Sequence, residues 1–133
     1  MKRFYIFFFF AAIISSCHNR SEIRLDDPME SGREFIDASL KGDYDMARKY
    51  ILQDSLNINY LERLKEWYKT RPEAEKEKYK NANIIINPTE NINDSELIIN
   101  YSNTFKNIPS KIKMIRRNKE WRVDFKYTFS GNM

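Results

Sequence analysis

Cysteine and histidine, the side chains that most often act as nucleophiles, bases or metal ligands, each occur once in this chain, as the neighbours Cys17 and His18. A single thiol can form no internal disulfide, and one adjacent histidine does not complete a zinc site. The same scarcity rules out a Ser-His-Asp or Cys-His catalytic arrangement in the body of the chain. The sequence therefore predicts no metal, no cofactor and no nucleophilic catalysis, and it directs attention to covalent modification of Cys17.

The segment before Cys17 has the order of a secretory signal peptide. Lys2 and Arg3 provide a positive start, and an apolar run of eleven residues, Phe4 to Ile14, follows. A transmembrane helix needs about 20 apolar residues, so this run is too short to remain as a span. The ending Ile14-Ser15-Ser16-Cys17 resembles the bacterial lipobox. That resemblance implies that residues 1–16 are removed and that Cys17 becomes the lipid-modified first residue of the mature chain.

The mature chain, residues 17–133, has the size of one ordinary domain. Lys2 and Arg3 leave with the signal, so 21 basic residues remain against 19 acidic ones and the net charge falls to +2. A nearly balanced charge argues against nucleic acid as a partner. Residues 17–26 are polar apart from Ile23 and Leu25, and they predict a tether between the lipid and a single domain over residues 27–129.

Helical signals occupy the first half of that domain. Asp27 and Pro28 are typical of a helix start and Gly42 of a helix end, and Asp43 is placed to cap a second helix. A third helix is predicted from about Ser55 to Lys69 by a wide apolar stripe, with Asp54 as its cap. The charged segment from Glu73 to Lys80 is predicted to be a solvated helix or a turn.

The periodicity changes to that of strands after Asn83. The sequence predicts strands at Asn83–Asn87 and Glu96–Thr104, a loop at Thr89–Asp94 between them, and a final hairpin. A two-residue turn at Asn118-Lys119 places apolar residues opposite apolar ones and opposite charges together, with one unfavourable pair, Lys111 opposite Lys126, near the open end. The predicted pairs are Arg117 with Glu120, Lys113 with Asp124, Met114 with Val123, Ile112 with Phe125 and Lys111 with Lys126; this register turns Asp124 outward.

These elements predict an α+β fold in which N-terminal helices pack on a curved antiparallel sheet of about four strands. The segments Phe35–Ala47 and Lys119–Asp124 resemble the small lipoprotein domains of unknown function in the nuclear transport factor 2-like superfamily, a cystatin-like and lumazine-binding-like group. The Asn- and Ile-rich composition resembles that of Bacteroidetes lipoproteins. The resemblance implies a cone of helices over a sheet and no particular reaction, since the superfamily includes ketosteroid isomerase and many non-catalytic binding modules.

Large aromatic side chains are the candidate site residues within the domain. They could line a pocket for an apolar ligand or simply form the core, because a chain of this size needs large side chains to bury enough area. Asp43 and Asp54 are better explained as helix caps than as catalytic acids. The aromatic candidates are Tyr60, Trp67, Tyr101, Trp121 and Tyr127.

The sequence thus predicts a membrane-anchored envelope lipoprotein without enzymatic activity, which binds a protein partner or a small apolar ligand. The absence of an acidic cluster after Cys17 favours the periplasmic side of an outer membrane. Two alternatives stay open: a lyase or isomerase of the ketosteroid isomerase type acting in the cone, and an immunity-type inhibitor lipoprotein. An outward basic row could contact anionic headgroups or an acidic partner, or be a solvated sheet face; its members are Lys111, Lys113, Arg117, Arg122 and Lys126.

Overall fold

Four helices precede an antiparallel sheet of five strands in the computed structural model, which describes residues 22–130. The predicted α+β class is therefore confirmed, whereas the predicted signal peptide and Cys17 lie outside the described residues. No helix within residues 22–130 is both long enough and apolar enough to cross a bilayer. The elements are α1 Pro28–Lys41, α2 Tyr44–Tyr50, α3 Ser55–Lys69, α4 Glu73–Lys80, β1 Ile84–Ile86, β2 Glu90–Asn93, β3 Glu96–Asn103, β4 Ser110–Arg117, β5 Glu120–Asp124 and a closing 3-10 helix Phe125–Phe129.

Carboxylate caps begin the first three helices, as the sequence predicted. Asp27 accepts a hydrogen bond from the backbone N–H of Glu30 at 2.8 Å, and Asp43 accepts one from Met46 at 3.0 Å. Asp54 caps α3 in the same way. Each cap satisfies an N–H that has no partner inside its helix. Gly42 ends α1 with φ 75°, the left-handed conformation that glycine adopts at little cost.

The edge strand next to β3 is broken into two halves, and here the sequence prediction was wrong. Residues 89–94 were predicted to form a loop, but β2 pairs with the start of β3 while β1 pairs with its end. Pro88 interrupts the strand because it has no N–H to donate, and the side chain of Asn100 donates to its carbonyl at 2.7 Å. All four residues of β2 are exposed. The sheet therefore has five strands rather than about four.

The β4–β5 hairpin has the predicted register over its first five pairs, which run from Arg117–Glu120 to Lys113–Asp124. Asn118 and Lys119 have φ of 51° and 67°, which identifies a type I′ turn. The last two predicted pairs, Ile112–Phe125 and Lys111–Lys126, do not form, because the chain turns into a 3-10 helix after Asp124. Phe125 is still buried, against Phe35, with ring centroids 5.1 Å apart.

The core lies between α1 and the sheet. Gly32 allows this close approach, since a Cβ at this position would collide with the side chain of Ile99. Alternate residues of β3, β4 and β5 face the helices; most of them are buried, whereas Tyr101 and Trp121 are only partly buried. The buried strand residues facing the helices are Leu97, Ile99, Ile112, Met114 and Val123.

The outer edge of β5 is covered by two segments from the N-terminal half. The N–H of Trp121 donates to the carbonyl of Leu25 at 2.7 Å, and the N–H of Leu52 donates to the carbonyl of Val123 at 2.9 Å. Ser31 also donates to the carbonyl of Arg24 at 2.9 Å. Edge groups that are paired in this way cannot recruit a foreign strand. The predicted tether is therefore attached to the domain from Arg24 onward.

Candidate functional site

The five aromatic candidates do not meet in one place. Trp67 and Tyr101 line a cleft at one end of the sheet, while Tyr60 shares a surface groove with Trp67. Trp121 is partly buried at the other end, beside Pro28 and Leu97. Tyr127 lies in the 3-10 helix, with the ammonium of Lys113 5.8 Å from its ring centroid. The structure thus divides the candidate set, and Trp67 and Tyr101 are the two that share the cleft.

The cleft has a volume of about 170 Å³ and opens between the C-terminal half of α1, the C-terminal half of α3, α4 and the ends of β3 and β4. Its polar side chains, apart from the tyrosines, are Ser39, Asn103 and Ser110. Aromatic rings dominate its wall. The aromatic lining comprises Phe35, Tyr44, Trp67, Tyr68, Tyr79, Tyr101 and Phe125.

Three helices contribute tyrosine rings that pack edge to face around the cleft. Tyr44 and Tyr68 have centroids 5.8 Å apart at 67°, and Tyr79 lies 6.4 Å from Tyr68. Tyr79 also meets Trp67 at 6.1 Å. Gly42 permits the approach of Tyr68, since a Cβ there would collide with this ring. Such offset contacts hold aromatic side chains in fixed orientations, so the wall is built by mutual packing.

The tyrosine hydroxyls of the cleft are neutral at physiological pH. Burial raises the pKa of Tyr101 to about 12, although a hydrogen bond with the Ser110 side chain opposes part of this effect. Burial also raises the pKa of Tyr44, and the neighbouring Tyr68 and Tyr79 raise it further. The pKa values of Tyr68 and Tyr79 are raised by burial as well. All four groups therefore keep their protons and can donate hydrogen bonds.

The lining of the cleft, as far as residues 22–130 form it, contains neither a carboxylate nor a histidine. The same part of the chain contains no group of three or more Asp, Glu, His or Cys residues placed to hold a metal. A proton abstraction of the ketosteroid isomerase type needs a carboxylate base beside a hydroxyl donor. The cleft offers the donors, but this lining supplies no base.

Cationic side chains surround the rim of the cleft. The guanidinium of Arg71 lies over the Trp67 ring at 4.9 Å, and the ammonium of Lys106 lies 4.7 Å from the Phe105 centroid. Lys78 approaches the same Phe105 ring at 5.6 Å. Tyr79 packs on Phe105 at 4.9 Å and so links this rim to the cleft. The entrance combines aromatic faces with positive charge.

A second apolar surface lies on the outer side of α3. Tyr60 stacks on Phe129 with ring centroids 4.9 Å apart and an interplanar angle of 6°. Trp67 and Phe129 are 42% and 45% exposed, and Leu56 on the same helix is 58% exposed. A shallow groove of about 380 Å³ on this surface is lined by Tyr60, Arg63, Leu64, Trp67 and Phe129.

Asp124 is not directed to solvent, and that prediction was wrong. Its side chain is buried and accepts a hydrogen bond from the Nδ2 of Asn57 at 3.0 Å. The ammonium of Lys126 also lies 3.0 Å from Asp124 Oδ1. Asn57 itself is completely buried, and no sequence pattern predicted this for a polar residue between Leu56 and Ile58.

The predicted basic row is largely compensated by carboxylates. Lys111 pairs with Glu90 at 3.4 Å and Lys113 with Glu96 at 3.1 Å. Arg122 pairs with Glu120 at 2.9 Å, and its Nη1 also donates to a backbone carbonyl. With Lys126 bound as described, this arrangement favours a solvated sheet face over a binding surface along the row.

Tyr44, Tyr68 and Tyr79 are the cleft residues that the sequence did not single out. Tyr44 begins α2, Tyr68 lies in the last turn of α3 and Tyr79 lies in the last turn of α4. Their shared position follows from the packing of α2, α3 and α4, which no local pattern specifies.

No protein-family model matches this chain, and no curated protein matches it either. The resemblance to the nuclear transport factor 2-like superfamily therefore stays a prediction.

Proposed function

We propose that this chain is a membrane-anchored envelope lipoprotein without enzymatic activity, whose domain binds a small apolar ligand in the aromatic cleft. The cleft carries the proposal, because an open cavity walled by aromatic rings with a few hydroxyl tips is the usual form of a small-molecule site. The anchor rests on the sequence from Lys2 to Cys17, which lies outside the described residues.

The cleft limits the size and chemistry of its ligand. A volume of about 170 Å³ is close to that of a cavity that holds one benzene molecule, about 150 Å³. One aromatic ring or a short acyl segment therefore fits inside, and the remainder of a larger ligand would extend through the open mouth. Neutral tyrosine hydroxyls would donate to a carbonyl or hydroxyl of that ligand, and Ser39, which donates its own proton to the carbonyl of Phe35, would accept from a ligand hydroxyl.

Binding rather than catalysis is favoured by the chemistry of the lining. The protonated tyrosines can donate to an oxygen, but the described lining has no carboxylate or imidazole to remove a proton from carbon. The ketosteroid isomerase alternative requires such a base.

The first test addresses the anchor. Intact-mass analysis of membrane-extracted protein is expected to show acyl chains on a chain that begins at Cys17. The control is Cys17→Ser, which is expected to leave the membrane fraction. An unmodified wild-type chain that still carries residues 1–16 would remove the anchor from the proposal.

The second test addresses the cleft. Thermal-shift titration with sterols, fatty acids and peptidoglycan fragments is expected to raise the Tm with at least one class. Ser39→Phe fills the cleft and is expected to abolish that shift. Ser102→Phe places the same ring on the other face of β3 and is expected to leave the shift intact, because strand side chains alternate between faces.

A protein partner is the second candidate, and the exposed apolar side chains of α3 and of the closing 3-10 helix favour it. Leu56, Trp67 and Phe129 each expose more than two fifths of their surface, and contiguous exposed apolar side chains often mark an interaction site. An immunity-type inhibitor would be one protein of this kind. If no ligand class shifts the Tm of the wild-type domain, the cleft proposal fails and this candidate takes its place.

A further inference from the structure

The attachment of the N-terminal segment and the mouth of the cleft lie at opposite ends of the sheet. Leu25 bonds to Trp121, the second residue of β5, and residues 22–26 lie beside Lys119 and Glu120. The cleft instead includes Ser110, the first residue of β4. The last residue of β4 leads into the β4–β5 turn. The eight residues of β4 separate the two ends by about 24 Å at 3.4 Å per residue.

Only a short stretch of chain separates Cys17 from the end of the sheet to which the N-terminal segment is attached. Cys17 is five residues before Glu22, the first described residue. A fully extended chain covers at most about 3.6 Å per residue, so the domain begins within about 18 Å of the anchored cysteine. The β4–β5 turn therefore stays close to the surface of the bilayer that holds the lipid.

The β4–β5 turn carries three cationic side chains. Arg116, Arg117 and Lys119 are exposed. Within residues 22–130 none of the three forms an ion pair or lies over an aromatic ring, in contrast to the paired Lys111 and Lys113.

Carboxylates at the same end balance the positive charge of these side chains over the region as a whole. Glu120 is held by Arg122 at 2.9 Å. Glu22 and Asp26 adjoin Arg24 in the N-terminal segment, and Asp94 lies in the neighbouring β2–β3 turn. The attraction to a membrane is therefore too weak to recruit the free domain, but it can orient a domain that the anchor already holds there.

We infer that the β4–β5 turn lies on the anionic headgroups of the anchoring bilayer. This inference rests on the lipid anchor of the proposed function. The cleft then opens away from the membrane. Its ligand reaches it from the aqueous side, not by diffusion out of the bilayer.

The two tryptophans of the chain report on the two ends separately. The lipidated full-length protein is placed in vesicles of phosphatidylcholine and phosphatidylglycerol that contain a lipid with a nitroxide on its headgroup, which quenches only nearby fluorophores. Trp67→Phe leaves Trp121 near the turn, and Trp121→Phe leaves Trp67 at the cleft. We expect the nitroxide to quench Trp121 strongly and to leave Trp67 nearly unquenched.

Charge reversal tests whether the turn is responsible. Arg116→Glu with Arg117→Glu and Lys119→Glu is expected to remove most of the quenching of Trp121. The matched control is Lys69→Glu with Lys78→Glu and Lys80→Glu. This control changes the net charge by the same amount as the triple substitution in the turn, but at the cleft end, and it is expected to leave the quenching of Trp121 unchanged.

Lysine acetylation of the unsubstituted protein, read by mass spectrometry, provides a second measurement. Lys119 is expected to be protected in vesicles with phosphatidylglycerol but not in phosphatidylcholine alone, while Lys78 reacts equally in both. Quenching of Trp67 as strong as that of Trp121 would place α3 on the membrane and overturn the inference. A protein that does not enter the vesicles at all would instead refute the lipid anchor.

Discussion

Asn57 joins the start of α3 to the end of the sheet through its side-chain amide. Its Nδ2 donates to Asp54 at 2.7 Å and to Asp124 at 3.0 Å, and its Oδ1 accepts from the N–H of Lys126 at 2.8 Å. The N–H of Lys126 is therefore bonded to Asn57 and is not available for the predicted pairing of Lys126 with Lys111. The backbone N–H of Asn57 is also the main cause of the lowered pKa of Asp54. A buried amide that is fully hydrogen-bonded in this way fixes a local structure.

Asn57→Asp is expected to destabilise the domain by about 3 kcal/mol or more, because it places a third carboxylate between two others and removes both donors. Asn59→Asp makes the same change at an exposed position of the same helix and is expected to stay within about 0.5 kcal/mol of the wild type. Urea unfolding at pH 7 measures both. Equal effects of the two changes would show that the amide is not a structural link.

The β4–β5 hairpin has the predicted register although its turn contains a residue, Lys119, that is unfavourable for this turn type. Lys119 has φ 67° at the second central position, where the type I′ turn prefers glycine. A side chain in the left-handed region costs free energy that glycine avoids.

Lys119→Gly is therefore expected to stabilise the domain by about 0.5 to 1 kcal/mol, even though glycine has more freedom to lose on folding. Lys119→Ala removes the same side chain but keeps a Cβ, and it is expected to give no gain. The midpoint of urea unfolding distinguishes the two variants. A gain with alanine equal to that with glycine would assign the effect to the lost charge instead of the turn.

The two halves of the edge strand show what the sequence could not reveal at this scale. β2 contains Glu90 to Asn93, all exposed, so it has no alternation of buried and exposed residues to predict it. Its assignment as a strand rests on backbone pairing with β3 alone. A strand of this kind is visible only when its partner is in place.

At the scale of the whole molecule, the cleft gathers tyrosines from four elements, namely Tyr44, Tyr68, Tyr79 and Tyr101. Each has its pKa raised by burial, which means that folding favours the neutral form. For Tyr101 the unfolded pKa is 10.0 and the folded pKa is about 12. The stability that this group contributes is therefore complete below pH 10 and is lost as the pH rises to about 12.

We expect the free energy of unfolding to fall steeply over that interval. Tyr101 alone accounts for up to about 3 kcal/mol of the loss, since each pKa unit corresponds to about 1.4 kcal/mol. Urea unfolding at several alkaline pH values, with tyrosine ionisation followed by ultraviolet absorbance, measures the loss. In Tyr101→Phe the loss is expected to be smaller by the contribution of this group, and an identical pH dependence would contradict the assignment.

The sequence by itself determined the features that short segments specify. The caps at Asp27, Asp43 and Asp54, the end of α1 at Gly42 and the register of the β4–β5 hairpin depend on neighbours a few residues apart, where residue type and spacing decide. The order of helices before strands then gave the fold class.

The tertiary structure alone decided where β5 ends, which aromatic residues share a cleft and how the domain is oriented on its N-terminal segment. Asn57 and Asp124 are 67 residues apart, and Tyr44 and Tyr101 line the same cleft only because the helices pack on the sheet. These contacts depend on how whole elements pack. Packing brings together residues that are far apart in the chain, and no sequence periodicity relates such residues. The attachment of Leu25 to β5, at the end of the sheet remote from the cleft, has the same origin.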